Sequence, residues 1–318
     1  MRDITTDLKT LQDETISNLK NSKSANTLRA YKSDYKDFSL FCINHRLQLM
    51  PSNPKTVSIY LTKLSKSGVK MSTLRRRLVS IGIVHKLKGH YLDTKHPIII
   101  ENLLGIKRVK GSIQRGKKPI LISHLHKLNE VINNDISPEI KKLRDKSIIL
   151  IGFSGGFRRS EITSLDYEDI EFVEEGLKIL VRRSKTDQFG EGHLKGIPNF
   201  TNSTLCPVKS LRDWISISKI KSGPIFRKFN KGYCLSDIRL SDQSVALIIK
   251  NYLNLAGIDS INYSGHSLRS GFATVAADSG ADERSIMAMT GHKSTEMVRR
   301  YIKEANLFKN NALNKIKL

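Results

Sequence analysis

Apolar residues first recur with helical spacing just after Ser24, where Leu28, Tyr31, Tyr35 and Phe38 share one face of a helix that Ser24 begins. The polar residues before it, about the first 20, predict a loosely held arm or a short helix. Pro54 opens a second helix carrying Val57, Tyr60, Leu61 and Leu64, and Gly68 is placed to stop it. Ser72 can cap a third, with Leu74, Leu78 and Ile81 inward and Arg75, Arg76 and Arg77 fanning outward to solvent or to phosphates. A more apolar fourth helix runs from Pro97 through Ile106. The pattern predicts a small all-α module over residues 1–106 with basic outer faces.

Residues 107–119, KRVKGSIQRGKKP, interrupt that pattern with six basic residues, no acidic one and a terminal proline. This composition predicts an exposed linker, with Lys107, Arg108, Lys110, Arg115, Lys117 and Lys118 laid along a polyanion. A second domain begins at Ile120, with a helix capped by Ser123 and an apolar helix from about Glu139 to Phe153. After Asp169 the period changes to alternation. Leu177, Ile179 and Val181 share one side of a strand, residues 184–192 (SKTDQFGEG) make a hairpin tip, and Ile197 and Pro198 close the return strand. Helices resume at Pro207–Ser218, with Val208, Leu211 and Trp214 inward, and at Ser241–Leu255. Three more runs, divided by Gly280 and Gly291, complete a domain spanning 120–318.

Charge narrows the function. Lys and Arg number 54 against 30 acidic residues, a formal net charge of +24 on 318 residues. Such an excess repels itself unless a polyanion neutralises it, and nucleic acid is the commonest. No apolar run reaches the roughly 20 residues that cross a bilayer, and the N-terminal MRDITTDLKTLQDE offers no signal-peptide core. Cys42, Cys206 and Cys234 are far apart and form no CxxC pair, which fits reduced thiols and a cytoplasmic location, nucleoid-associated if the source is prokaryotic.

Three segments of the second domain carry candidate chemistry: GFRRSEI at 156–162, HSLR at 266–269 and GHKSTEMVRRYI at 291–302. Lys185 lies on the hairpin between the first two. Taken singly, each polar residue has an ordinary structural reading. Arg158 can be a surface arginine at a helix start, His266 a cap for the helix begun by Ser267, His292 a turn residue beside Gly291, and Lys185 a solvated lysine. Tyr301, four residues after Met297, can be a core aromatic with a wet hydroxyl.

Taken in order, Arg158, Lys185, His266, Arg269, His292 and Tyr301, nine residues after His292, resemble the tyrosine recombinase (phage integrase) family. The resemblance covers about 120–305, and the helical N-terminal module resembles that family's core-binding domain. It implies a mainly α fold: a SAM-like N-terminal domain and an α-rich catalytic domain with a small antiparallel β-sheet, closing on DNA as a C-shaped clamp. It implies site-specific recombination through a covalent 3′-phosphotyrosyl intermediate on Tyr301, for integration or excision of a mobile element or for dimer resolution. Arg158 and Arg269 would hold the non-bridging phosphate oxygens, with a further hydrogen bond from His292. His266 would be the general base and Lys185 the general acid. The resemblance also implies a double-stranded site with inverted repeats, a dimer on one site, a tetramer in synapsis, and a tail (303–318) that docks on a neighbouring protomer, the alternative being that it folds back on its own domain.

The side chains suit this chemistry. Guanidinium stays protonated at any working pH and presents a planar donor fork, so arginines neutralise the pentacoordinate phosphorus where other enzymes use a metal. The ester conserves the energy of the broken bond, so neither metal, ATP nor other cofactor is expected, and no Walker-type loop is present. Glu161, three residues after Arg158, can orient Arg158 or His266 or form an ordinary salt bridge. Arg159 turns about 100° away from Arg158, toward DNA backbone or solvent. Type IB topoisomerases share the Arg/Lys/Arg/His/Tyr chemistry, but the helical N-terminal module and the spacing from GHKS to the tyrosine favour the recombinase.

Overall fold

The computed structural model describes residues 10–318 apart from 12, 16, 19–21, 112–115, 185, 186, 188, 189, 306–311, 317 and 318. The chain forms two compact units, Met1–Arg115 and Gly116–Leu318. Lys185, Arg115, most of the N-terminal arm, and Leu307 and Phe308 of the tail lie outside the described residues.

The first unit contains helices α1 (Ala25–Asn44), α2 (Pro54–Lys66), α3 (Met71–Leu87) and α4 (Pro97–Lys110). Local chemistry sets their ends. Ser24 Oγ accepts the Thr27 N–H at 3.3 Å, and Asn53 Oδ1 accepts the Thr56 N–H at 2.8 Å ahead of Pro54. Phe38, Cys42, Val57, Leu61, Leu74, Ile81 and Ile99 are fully buried where the four helices meet. Leu28, expected inward, is exposed near the start of α1, beyond the reach of this core.

Three expectations change here. Lys70, not Ser72, is the cap residue of α3, and Ser72 lies inside its first turn. The fourth helix continues to Lys110, so Lys107, Arg108 and Lys110 ride its last turn, where cations favour the carbonyl end of a helix. Nor do the three arginines all fan outward, because consecutive helical positions diverge by about 100°. Arg75 is exposed, whereas Arg76 Nη1 donates to Asp34 Oδ2 at 2.7 Å and Arg77 donates to Asp37 and to the Tyr60 hydroxyl.

In the second unit α5 (Ile122–Asn134) leads to α6 (Glu139–Ser154), whose Ile148–Ile151 stretch and Phe153 are buried at the centre. Leu121, not Ser123, caps α5, and its N–H donates to His124 Nδ1 at 2.9 Å. A short α7 (Arg159–Ser164) precedes an antiparallel meander of β1 (Ile170–Val173), β2 (Gly176–Val181) and β3 (His193–Pro198), with Ile170 opposite Ile179 and Leu177 opposite Ile197. Then come α8 (Pro207–Ser218), a hairpin of β4 (Arg227–Phe229) and β5 (Leu235–Arg239), α9 (Asp242–Leu255), α10 (Ser267–Asp278), α11 (Glu283–Thr290) and α12 (Thr295–Ala305). One face of α6 packs on α8 and another on α10, and α10 in turn packs on α12. A small cluster of Ala273, Ala277, Ile286 and Val298 seats α12 on its neighbours, with Tyr301 against it. These contacts bring three sequence-distant segments together beside the sheet.

Candidate active site

Gly155 and Gly156 turn the chain between α6 and α7. Gly156 has φ +55°, a left-handed conformation that glycine adopts without strain, and this sends the chain back toward α10. Arg158, with extended backbone, then begins α7. Its N–H donates to Glu161 Oε2 at 2.9 Å and its Nη1 to Glu161 Oε1 at 2.5 Å. Burial pushes the Glu161 carboxyl up. The hydrogen bonds from Arg158 and the charges of Arg158 and Lys195 outweigh that and hold its pKa below the ordinary value. Glu161 is therefore a carboxylate that fixes the Arg158 guanidinium in place.

Arg269, in the first turn of α10, is 1% exposed. Its Nη1 donates to the Gly156 carbonyl at 2.9 Å, tying it to the turn that positions Arg158. Its Nε and Nη2 are buried with no hydrogen-bond partner. Burial, reinforced by the charge of Arg158, lowers its pKa to about 10, which leaves it protonated at neutral pH. An unmatched buried donor costs about 1–3 kcal/mol, and natural folds rarely tolerate one without a ligand to meet it.

Gly291 ends α11 in the left-handed region at φ +62°, its N–H donating to the Met287 carbonyl at 2.7 Å, and so delivers His292 to the same place. His292 Nδ1 lies 2.8 Å from Thr290 Oγ1. Burial, then the positive charges of Arg269, Arg158 and His266, push its pKa down to about 4. The half-buried Tyr301 on α12 acts electrostatically on Arg269. His266, exposed at the start of α10, acts on His292. The structure thus brings Arg158, Glu161, His266, Arg269, His292 and Tyr301 into one electrostatic cluster.

Asp187 and His193, on the connection between β2 and β3 and at its end, lie near Lys293 and Gly291. Asp187 accepts backbone N–H groups from Gly190, Glu191 and Gly192 at 3.0, 3.2 and 2.8 Å, holding the connection together. Those bonds, chiefly the one from Gly192, lower the Asp187 pKa, and Lys293, next to His292, adds to the effect.

Three residues were missed in the sequence. Lys195 on β3 is 1% exposed, and its Nζ donates to the carbonyls of Gly155 and Met289, both at 2.6 Å. It links the turn before Arg158 to the end of α11 before His292. Strand parity was the available signal, since residue 195 must face inward with Ile197. His193, which faces Gly291, and Thr290 carried no comparable signal.

The proposed DNA contacts are dispersed. Arg75, Lys107, Arg108 and Lys118 are exposed. Lys110 donates to the Ser65 carbonyl and Lys117 to that of Ile261. Arg159 lies 3.6 Å from Asp242 and covers Gly265, where a Cβ would fall 1.9 Å from its Cδ. Among the described residues no helix is long and apolar enough to cross a membrane.

Comparison with known proteins identifies the family. Residues 123–307 match the phage integrase family and residues 16–87 its N-terminal SAM-like domain. An integrase/recombinase XerD homolog of Selenomonas ruminantium is 40% identical over 301 residues, covering 94% of this chain and 87% of the relative. Among solved structures, XerH recombinase in a post-cleavage complex with its difH substrate superposes with TM-score 0.58 at 18% identity, over 81% of this chain and 71% of that one. A lambda integrase dimer bound to a core site superposes with TM-score 0.59 at 16% identity, over 98% and 80%. The chain belongs to the phage integrase family and is a tyrosine-type site-specific recombinase, a DNA strand transferase.

Proposed function

We propose that Tyr301 is the nucleophile and that Arg158 and Arg269 are the principal phosphate clamp. Tyr301 Oη attacks the scissile phosphorus, the bond to the 5′ oxygen breaks, and a 3′-phosphotyrosyl ester forms. The phenolic proton passes to His266, and Lys185 protonates the departing 5′ oxygen. Attack by the 5′-hydroxyl of a partner strand, which gives its proton to Lys185, then breaks the phosphotyrosyl bond, and the tyrosine recovers its proton from His266. Arg158 and Arg269 hold the two non-bridging oxygens, with His292 adding a third contact. Donors fixed before the reaction are each worth ~100- to 1,000-fold in such a step.

The observation that carries this reading is the pair of unpartnered, buried donors on Arg269, beside a guanidinium fixed by Glu161 and within electrostatic reach of the tyrosine. The substrate is double-stranded DNA bearing inverted repeats, bound by one protomer per half-site as a dimer and paired as a tetramer in synapsis. Both units bind the duplex, and the tail docks on a neighbouring protomer. Leu313 and Ile316, both exposed, favour such docking. The DNA substrate favours a cytoplasmic location, and the products are those of integration, excision or dimer resolution.

The test has two steps. Protein-bound DNA ends are mapped to find the site, and a nicked duplex of that sequence is then offered as a trap. The expected result is a denaturant-resistant protein–DNA adduct with the wild-type chain and none with Tyr301→Phe. Equal trapping by both would overturn the assignment. Relaxation of any supercoiled plasmid without site dependence would point to a topoisomerase.

A further inference from the structure

The proposed reaction leaves unused the buried hydroxyl of Thr290, 1% exposed at the end of α11. Thr290 Oγ1 lies 2.6 Å from the Ile286 carbonyl oxygen and 2.8 Å from His292 Nδ1. A hydroxyl has one proton. Two oxygens at 2.6 Å need a hydrogen between them, because a carbonyl has none to give and their lone pairs would otherwise repel. The Thr290 proton therefore sits on the Ile286 side. The contact with His292 then requires the imidazole to donate: Nδ1 carries hydrogen and the threonine oxygen accepts it.

We infer that Thr290 is a positioning residue that locks His292 as the Nδ1–H tautomer, so that Nε2 must gain a proton when the scissile phosphate enters the site. The second half of this statement rests on the phosphate clamp proposed above, and the first half does not. With Nδ1 committed, Nε2 is the nitrogen left to meet a ligand. In a neutral ring it bears a lone pair, which a phosphate oxygen repels.

The surroundings keep the ring neutral until an anion arrives. Arg269 faces it from α10 and Arg158 from α7, and these guanidinium charges, with His266 acting in the same direction, outweigh the opposing effect of Glu161. From β3, His193 lies against Gly291 and Lys195 holds the Met289 carbonyl. Lys293 follows His292 in sequence, and from α12 Tyr301 acts on Arg269. A phosphate bound between the guanidinium groups reverses that balance. Imidazolium, with hydrogen on both nitrogens, then donates to Thr290 and to the phosphate together. Site occupancy and protonation of His292 become one event.

Histidine-labelled (15N) full-length protein tests this directly, with two-bond nitrogen–proton spectra and His292→Gln to identify the signal. The expected result at pH 7 without DNA is a protonated Nδ1 and an unprotonated, pyridine-type Nε2. Thr290→Ser keeps that pattern, and Thr290→Val moves the population toward the Nε2–H form. Sulfate, a non-titrating stand-in for the phosphate, added at pH 6, is expected to shift Nε2 to the protonated position in wild type. An Nε2–H tautomer in the wild-type chain, or a Thr290→Val spectrum identical to wild type, would overturn the tautomer lock, and the wild-type result decides the matter even if the valine variant does not fold. An unprotonated Nε2 in saturating sulfate would overturn the coupling. Adduct formation through Tyr301 is read separately, so either failure here leaves the nucleophile assignment standing.

Discussion

Each unit gathers arginines around a buried carboxylate, and the two arrangements differ in what they leave over. In the first, Arg76 and Arg77 meet Asp34 and Asp37, and Ser80 and Tyr60 complete the hydrogen bonding. Arg77 Nε, which has no hydrogen bond, still faces Asp34 Oδ1 at 3.7 Å. Two cations face two anions. In the second, Arg158, Arg269 and Lys195 surround one carboxylate, Glu161, and Arg269 keeps two donors unmatched. The first arrangement is closed and structural. The second holds an uncompensated positive charge away from water, a cost that fits a site waiting for an anion.

The sharpest way to break this contrast is to remove the unmatched cation. Arg269→Gln is expected to lower DNA cleavage ~100- to 1,000-fold and to leave the unfolding midpoint unchanged or raised, because a buried charge without a carboxylate hydrogen bond is lost. Cleavage of a trapping duplex and thermal unfolding check both halves. A large fall in stability with cleavage intact would place Arg269 in the same structural class as Arg77.

The closed cluster is expected to answer in the opposite way. Asp34→Ala leaves Arg77 and Ser80 facing an empty site and should cost about 2–3 kcal/mol, scaled down because Arg76 is partly exposed. Urea unfolding followed by a probe in the first unit would show an earlier transition. The DNA-independent properties of the second unit, including the His292 spectrum, should not move.

A smaller effect separates exposed from committed arginines on one helix. Arg75 is exposed, whereas Arg77 is tied down. If Arg75 meets a phosphate, Arg75→Ala should reduce the slope of log affinity against log salt by about 1. Arg77→Ala should act through stability instead and leave the slope as it was. Binding titrations across a salt series read the difference, and equal slopes for wild type and Arg75→Ala would remove Arg75 from the interface.

Much of this was legible in the sequence where one short-range signal sufficed. Pro54, Pro207 and Ser241 mark helix starts that the structure keeps, and Gly280 and Gly291 separate α10, α11 and α12. The phage integrase match over residues 123–307 bears out the family resemblance that the sequence carried. What could not be read depends on long-range pairing. The β4–β5 hairpin is short and irregular, with no clean alternation to announce it. The acidic partners of Arg76 and Arg77 lie some 40 residues away on α1, so helix periodicity alone leaves those side chains in solvent. The Thr290–His292 contact spans only two residues, yet it depends on the left-handed turn at Gly291.

Lys195 gives the comparison its smallest and most specific test, because it is a buried cation beside Glu161 and Arg269 that already has partners. Burial pushes its pKa down from 10.5 to about 7, with Arg269 and Arg158 acting in the same direction and Glu161 against them. The native state therefore releases this proton near pH 7, while the unfolded chain keeps it until about 10.5. Between those values the unfolded state binds more protons, so stability must rise with pH across the window. Below about pH 7 the lysine is charged in both states and its contribution is flat. Lys195→Met keeps an unbranched side chain beside Phe157, over whose ring the ammonium lies, and removes the titrating group. Denaturant unfolding at a series of pH values from 6 to 10 should show a rising limb in wild type that is weaker in the variant. Identical profiles would mean that the two carbonyls hold the ammonium charged throughout. Lys195 would then belong with the compensated cations of the first unit, leaving the unmatched donors of Arg269 as the feature that distinguishes the second.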